Sequence, residues 1–232
     1  MNKMLIIIPA FNEEKSIGAV IAKIRQTVPK ADILVVSDGS TDNTAAISTG
    51  LGAHVINHAF NLGYGGALQS GFRFALNKNY DMVVTMDADG QHDPAYIENL
   101  LAAKVRDGAN IVIGTRFIDS DYKAGFFKGA VISMFSTIIR LYTGKTITDP
   151  TSGFQLMDRA VLSYLSHGDN FPLDYPDANM IMLLHKKKFR IAETPVKMFS
   201  RLDGVSMHSG IRPLIYMVRM LLAIVMVVLR RD

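Results

Sequence analysis

The chain has 232 residues, enough for one α/β domain with a substantial core plus an appendage. It contains no cysteine, which excludes disulfides, zinc–thiolate sites and a cysteine nucleophile and fits a reducing compartment. The net charge is +4, but Lys186-Lys187-Lys188 and Arg230-Arg231 are the only basic clusters, a pattern that argues against nucleic acid and leaves an anionic membrane or phosphate-bearing substrates.

Residues 5–8 are a short continuous apolar run, the pattern of a strand buried on both faces. Pro9 and Asn12-Glu13-Glu14 end that run too early for a secretory signal, so chemistry on the cytosolic side is expected. Residues 13–27 read as a helix, with Ile17, Val20, Ile21 and Ile24 at helical spacing. Residues 33–36 read as a second strand, and Asp42 as the cap of a helix ending at Gly50 or Gly52. Residues 53–56 form a short third strand. Residues 66–78 read as a helix with Leu68, Phe72 and Leu76 on one face. A fourth strand covers 82–86. A helix over 94–107 has Asp93 as cap, Pro94 at its first position and a stop at Gly108. A fifth strand covers 110–114. This alternation implies a doubly wound, mostly parallel α/β sheet flanked by helices.

After about residue 118 the rhythm fails. Residues 124–142 carry Phe127, Val131, Met134, Phe135, Ile138 and Tyr142 on one helical face. Residues 148–153 read as a loop. Residues 189–199 alternate weakly and contain Pro195, which suits an edge strand. Residues 211–229 are the most apolar stretch.

The most informative motif is Asp87-Ala-Asp89-Gly90-Gln91, just where the fourth strand runs out. Alternate residues on an extended backbone point the same way, so two carboxylates and an amide oxygen converge beyond the strand's carboxyl end. Open α/β sheets bind ligands there, and the donors suit Mg²⁺ or Mn²⁺. The plainer reading is a turn, since Asp and Gly commonly follow strands. No G-x-G-x-x-G follows the first strand, and neither a P-loop nor a G-x-S-x-G elbow is present. Asp87-Ala-Asp89-Gly90 also has the form of an aspartate-nucleophile phosphatase motif. That motif belongs after a first strand and continues into Thr or Val, not into Gln91-His92-Asp93.

The first strand ends in Pro9-Ala10-Phe11-Asn12-Glu13 and the second in Ser37-Asp38-Gly39-Ser40-Thr41-Asp42. With Asp87-Ala-Asp89-Gly-Gln91, these strand ends resemble glycosyltransferase family 2, of the GT-A fold. Asn61-Leu-Gly63-Tyr-Gly65-Gly66-Ala67, Gly114-Thr115-Arg116-Phe117, Asp149-Pro-Thr-Ser152-Gly153-Phe154 and Arg201-Leu-Asp-Gly204-Val-Ser206 resemble its polyprenyl-phosphate branch, which includes dolichyl-phosphate mannose synthase.

The resemblance implies a division into a nucleotide-sugar-binding core over 1–118, an acceptor-side part over 119–210 and a membrane-interface helix over 211–232. It implies a nucleotide pocket from Pro9, Ala10, Glu13, Asp38, Gly65 and Asp87. Asp38 would accept from the base, whereas Ser37 replaces a usual acid and inherits no role. Asp89 and Gln91 would ligate the metal directly, with Asp87 contacting it, the sugar or the ribose. Arg116 and Arg201 would face the acceptor phosphate, joined by Ser206 and by His208, which stands where the family has a Lys-containing ending. Asp177, or alternatively Asp174, would be an acceptor-side acid. The remaining histidines, His92 and His58 among them, show no ligand spacing and read as packed or solvated. The implied reaction is an inverting, metal-dependent transfer of a sugar from a nucleotide sugar to a polyprenyl phosphate, undecaprenyl phosphate in a bacterium. Transfer to a hydroxyl acceptor in polysaccharide synthesis, and a non-catalytic nucleotide-binding membrane scaffold, are the competing readings.

Residues 213–229 make about 17 residues, roughly 26 Å as a helix and short of the ~30 Å hydrocarbon core. Arg212, Arg219 and Arg230 fall on one narrow helical stripe, which a helix lying in the interface keeps wet. Peripheral or monotopic attachment on the cytoplasmic face is therefore expected, with 124–142 as a second such helix. Ordinary core burial of both, or pairing of the tail with a small membrane protein, are the alternatives.

Overall fold

The computed structural model describes residues 3–118, 126–168, 170–173, 176–199 and 212–229, and the backbone alone in 126–128 and 212–216. In chain order it begins β1 (Met4–Ala10), α1 (Ile17–Thr27), β2 (Asp32–Ser37), α2 (Thr44–Gly50), β3 (His54–Asn57) and α3 (Gly63–Asn77). There follow β4 (Met82–Thr85), a 3-10 turn (Pro94–Tyr96), α4 (Ile97–Asp107), β5 (Ile111–Thr115) and α5 (Phe126–Thr143). The remainder is β6 (Gln155–Asp158), α6 (Arg159–Ser166), α7 (Ala178–Lys186), β7 (Ile191–Pro195) and α8 (Arg212–Leu229).

The strands form one sheet in the order β3-β2-β1-β4-β6-β5-β7. Pairing is parallel except at β6, which runs antiparallel between β4 and β5. The apolar runs are continuous because successive side chains feed opposite layers. Leu5 and Ile7 of β1 join Leu34 and Val36 in one core, under α3 and α5 to α8. Ile6 and Ile8 join Ile33 and Val35 in the other, under α1 and α4. The mostly parallel doubly wound sheet is thus as expected, and β7 is an edge strand, with β3 at the other edge.

Local differences have local causes. Residues 13–16 form a turn before α1, in which Ser16 Oγ donates to Glu13 Oε2 at 2.6 Å. Helix α3 starts three residues earlier than its apolar periodicity, so Gly63-Tyr64-Gly65-Gly66 lie in its first turn rather than in a loop. Glycines form helix poorly, but the Leu62 and Gly63 N–H groups donate to the buried Asp38 carboxylate at 2.9 and 2.8 Å and fix the start. Asp93 caps the turn before α4 by accepting from Ala95 N at 3.1 Å, and Gly108 ends α4 with φ +57°. Strand β6 was not legible, being four residues long with polar ends. Its Asp158 ends the strand and caps α6, accepting from Ala160 N and Val161 N.

The 124–142 expectation needs correction. Ile132, Phe135 and Ile139 of α5 are buried in the core, so α5 is a core helix rather than a second interface helix. Helix α8 divides its apolar surface. Met220 and Ile224 are buried on the side of α7, while Leu222 is 61%, Met226 71% and Leu229 72% exposed. Among the described residues no helix is long and apolar enough to cross a membrane.

Candidate active site

Because β1, β2 and β4 are parallel, their carboxyl ends share one edge of the sheet. Two of the loops leaving that edge are stitched together. Thr41 N donates to Asn12 Oδ1 at 2.8 Å and Asn12 N to Ser40 Oγ at 3.1 Å. Glu13 N donates to Thr44 Oγ1 at 2.8 Å, and Glu14 N to Asp42 Oδ2 at 3.0 Å. Pro9, Ala10 and Glu13 therefore lie beside the 37–42 loop. Asp42 also accepts from Thr44 N at 3.0 Å, one residue into α2. Burial pushes its carboxyl up, but the bonds from Thr44 and Glu14 outweigh this and hold it below its ordinary value.

Asp38 is tied into the fold at the end of β2. It is 4% exposed, and its carboxylate takes the Leu62 and Gly63 N–H groups and His58 Nδ1 at 2.7 Å. His58 Nε2 in turn faces Ser70 Oγ at 2.9 Å. A carboxylate with those partners anchors the segment that starts α3. His58 belongs to the same anchor, and nothing in the sequence spacing signalled it.

Beyond β4, Asp87 and Asp89 stand at the sheet edge. The Asp87 side chain is 33% exposed, whereas Asp89 is 3% exposed. Asp87 N donates to His92 Nδ1 at 3.0 Å. That leaves the proton of a neutral ring on Nε2, which is 3.7 Å from Asp87 Oδ2. His92 is buried and stacked on Phe154, with centroids 5.1 Å apart. It is packed, as expected, but it also braces Asp87. Gln91 N donates to Asp89 Oδ1 at 2.9 Å. Gln91 Nε2 donates to Phe199 O at 3.2 Å, which leaves Oε1 as the acceptor end of that amide.

Tyr64 enters from the first turn of α3 and donates to Asp87 Oδ1 at 3.4 Å. Burial, then the charges of Asp87, Asp177 and Asp89, push its phenol well above the ordinary tyrosine range. Three carboxylates from two separate segments thus act on one hydroxyl. Asp177, just before α7, lines a cavity of about 10 Å³ with Tyr64, Thr85 and Gly153. The glycines here serve close approach. A Cβ at Gly153 would lie 2.7 Å from the Tyr64 hydroxyl and 3.0 Å from Asp87 Oδ1. A Cβ at Gly65 would meet the Leu173 carbonyl at an impossible distance, so the chain, not a ligand, occupies the space that Gly65 leaves.

Arg116 follows β5 at the same edge, but its fork is closed. Nε donates to Asp149 Oδ2 at 2.6 Å and Nη2 to Oδ1 at 2.7 Å. Asp149 is fully buried and Arg116 8% exposed. The edge of the guanidinium that carries Nε and Nη2 is thus taken up by Asp149, with Thr151 Oγ1 also 3.2 Å from Nη2. Asp149 opens the Asp149-Pro-Thr-Ser152-Gly153-Phe154 motif, yet nothing in the spacing marks it as the partner of Arg116. Arg201, Ser206, His208 and Asp174 lie outside the described residues.

The donor set fits a hard divalent cation: two carboxylates and an amide oxygen, with no thiol. Among the described residues no group of three His, Cys, Asp or Glu forms a metal cage. So sparse a set suits a cation that completes its shell on substrate phosphates.

The chain is similar to known proteins over most of its length. The chain is 31% identical over 222 residues to polyprenol monophosphomannose synthase of Mycolicibacterium smegmatis, covering 90% of this chain and 82% of that one. It is 33% identical over 221 residues to undecaprenyl-phosphate mannosyltransferase of Micrococcus luteus, covering 90% and 88%. Among solved structures, glucosyl-3-phosphoglycerate synthase from Mycobacterium tuberculosis in complex with Mn²⁺, uridine diphosphate and phosphoglyceric acid superposes with a TM-score of 0.75 at 20% identity. That superposition covers 100% of this chain and 80% of the other, and it shows a shared GT-A fold. The profile described as Glycosyl transferase family 2 matches residues 5–165, and the chain accordingly belongs to that family and is a glycosyltransferase.

Proposed function

We propose that the protein transfers a sugar from a nucleotide sugar to a polyprenyl phosphate, with inversion and with a divalent cation. The observation that carries this reading is the placing of Asp87 and Asp89 at the carboxyl end of β4, with the Tyr64 hydroxyl on Asp87, Asp177 lining the cavity beside Tyr64, and Arg116 at the same edge of the sheet after β5. The names of the two relatives support the acceptor class. A third relative, 30% identical, is the UDP-N-acetylglucosamine–dolichyl-phosphate N-acetylglucosaminyltransferase of Methanococcus voltae, so the sugar stays open within the branch.

Asp89, Gln91 and Asp87 would hold Mg²⁺ or Mn²⁺ through oxygen atoms. When bound, the cation supplies charge neutralisation to the departing nucleoside diphosphate. The loops after β1 and β2 would enclose the nucleotide. Arg116 would orient the acceptor phosphate so that its oxygen attacks the anomeric carbon from the face opposite the leaving group. That oxygen is already largely ionised near neutral pH, since a phosphate monoester has a second pKa of about 6. Asp177 would then position the sugar or acceptor rather than abstract a proton.

The exposed apolar face of α8 supports seating on a membrane, where such an acceptor resides. The test is incubation with radiolabelled nucleotide sugars, undecaprenyl phosphate and Mn²⁺, followed by lipid extraction. Label in the lipid phase, lost with chelator and in Asp89→Ala, is the expected result. Nucleotide binding without turnover on any acceptor would leave only a scaffold role. Strong rate loss in Asp177→Asn, with a hydroxyl acceptor consumed instead, would favour the polysaccharide reading.

A further inference from the structure

We propose that Glu193 is a positioning residue for Arg116, acting through Thr148 and Asp149. Glu193 lies on the edge strand β7, opposite Ile113 of β5. Its carboxylate reaches over the end of the 148–153 loop. Thr148 N lies 2.9 Å from Oε1 and 2.8 Å from Oε2. Thr148 Oγ1 donates to Oε1 at 3.1 Å and Asp149 N donates to the same oxygen at 3.0 Å. Two successive backbone N–H groups and one hydroxyl are thus fixed by one side chain. The next atoms along are those of Asp149, whose carboxylate holds Arg116 by Nε, by Nη2 and by the backbone N–H at 3.2 Å.

The charge balance argues that this is more than a loop anchor. Two carboxylates, Glu193 and Asp149, are set close together in a largely buried place, and the guanidinium of Arg116 pairs with only the second. Burial and the Asp149 charge both push the Glu193 carboxyl up, while the Thr148 and Asp149 donors pull it down. A loop could be fastened by apolar packing without that cost. What a carboxylate offers here is a group that only accepts. A glutamine would set an N–H against the Thr148 or Asp149 N–H. The rigid 148–149 backbone fixes the Asp149 rotamer, and Asp149 fixes which edge of Arg116 remains turned away from it. The Thr115 and Thr148 hydroxyls, 2.6 Å apart, tie the same loop to the residue before Arg116. The functional half of this inference rests on the reading of Arg116 as an acceptor-phosphate ligand.

The experiment uses the full chain labelled with ¹⁵N, the Arg116 Nε–H resonance being assigned by its loss in Arg116→Lys. Farnesyl phosphate serves as the acceptor probe, and UDP and GDP with Mn²⁺ as donor probes. In Glu193→Gln, solvent exchange of the Arg116 Nε–H should speed up by ~10-fold and farnesyl phosphate should bind ~10-fold more weakly, with donor-probe affinity changed less than about twofold. A folded Glu193→Gln with unchanged Nε–H exchange and unchanged farnesyl phosphate affinity overturns the proposal. If that variant does not fold, Glu193→Asp, which keeps the charge but is too short to span both N–H groups, is read by the same criteria. If the wild type binds a donor probe but no farnesyl phosphate, the acceptor reading fails, while the Nε–H comparison still decides whether Glu193 positions Arg116.

Discussion

The Tyr64 hydroxyl donates to Asp87 Oδ1 across 3.4 Å, joining the first turn of α3 to the end of β4. Asp87 is braced on its other side by His92. A carboxylate held from two directions keeps one rotamer, which is what a ligand for a cation or sugar needs. Tyr64→Phe removes the donor and keeps the ring. The bond is long, so its loss should lower kcat/KM about 3- to 10-fold, or ~1 kcal/mol, with little change in Tm. Steady-state kinetics with saturating acceptor check this. Unchanged kcat/KM would mean that His92 alone suffices.

Asp38 gives a prediction that separates two roles. It accepts three N–H groups while 4% exposed. Asn keeps one acceptor oxygen and turns an amide N–H toward Leu62 or Gly63. Asp38→Asn should therefore destabilise by roughly 2–4 kcal/mol, lowering Tm by on the order of 5–10 °C. Thermal unfolding without nucleotide measures it. An unchanged Tm together with lost nucleotide binding would instead assign Asp38 the base-contact role that the sequence motif implied.

The strand ends were legible because buried parallel strands leave uninterrupted apolar runs and because Pro9, Asp38 and Asp87 interrupt them. The position of Asp87, Asp89 and Gln91 followed from that alone. The partners of these groups have no such signature. Tyr64, His58, Asp149 and Glu193 lie 23, 20, 33 and 44 residues from the groups they hold. Such distances leave no periodic trace in a single chain. Antiparallel β6 was hidden for the same reason, since its identity as a strand depends on the gap between β4 and β5. Helix α8 was legible as apolar and arginine-striped, but its division into a buried and an exposed face depends on α7.

Two carboxylates should give opposite slopes of stability against pH. Asp42 is held below its ordinary value of 3.8, so its contribution is present above that value and is lost as pH falls through the lower folded value. Glu193 is raised above its ordinary value of 4.5, so the folded state keeps its proton where the unfolded state has released it. Its contribution therefore falls as pH rises from 4.5 through the raised value. Urea midpoints for wild type, Asp42→Asn and Glu193→Gln across acidic pH test both. The wild-type advantage over Asp42→Asn should shrink on acidification, and that over Glu193→Gln should shrink on the way up. Parallel curves for all three would contradict the assigned shifts.

Helix α8 makes the membrane question testable without disturbing the fold. Ile224 is 6% exposed, while Leu222 and Met226 are 61% and 71% exposed on a neighbouring face. Arg219 is also exposed, within one turn of Leu222. Apolar side chains beside a cation match the boundary between acyl chains and anionic headgroups. The double variant Leu222→Gln/Met226→Gln should leave Tm nearly unchanged, because surface substitutions usually act within about ±0.5 kcal/mol. It should lose ~10-fold or more in partition onto phosphatidylcholine vesicles containing phosphatidylglycerol, since each buried side chain contributes roughly 1.5–3 kcal/mol. Ile224→Gln should behave in the opposite way, lowering Tm through a buried unpaired amide. Flotation that survives the double variant would remove α8 from the membrane contact. Loss of binding to native membranes but not to protein-free vesicles would identify the exposed face as a seat for the helix of a small membrane protein.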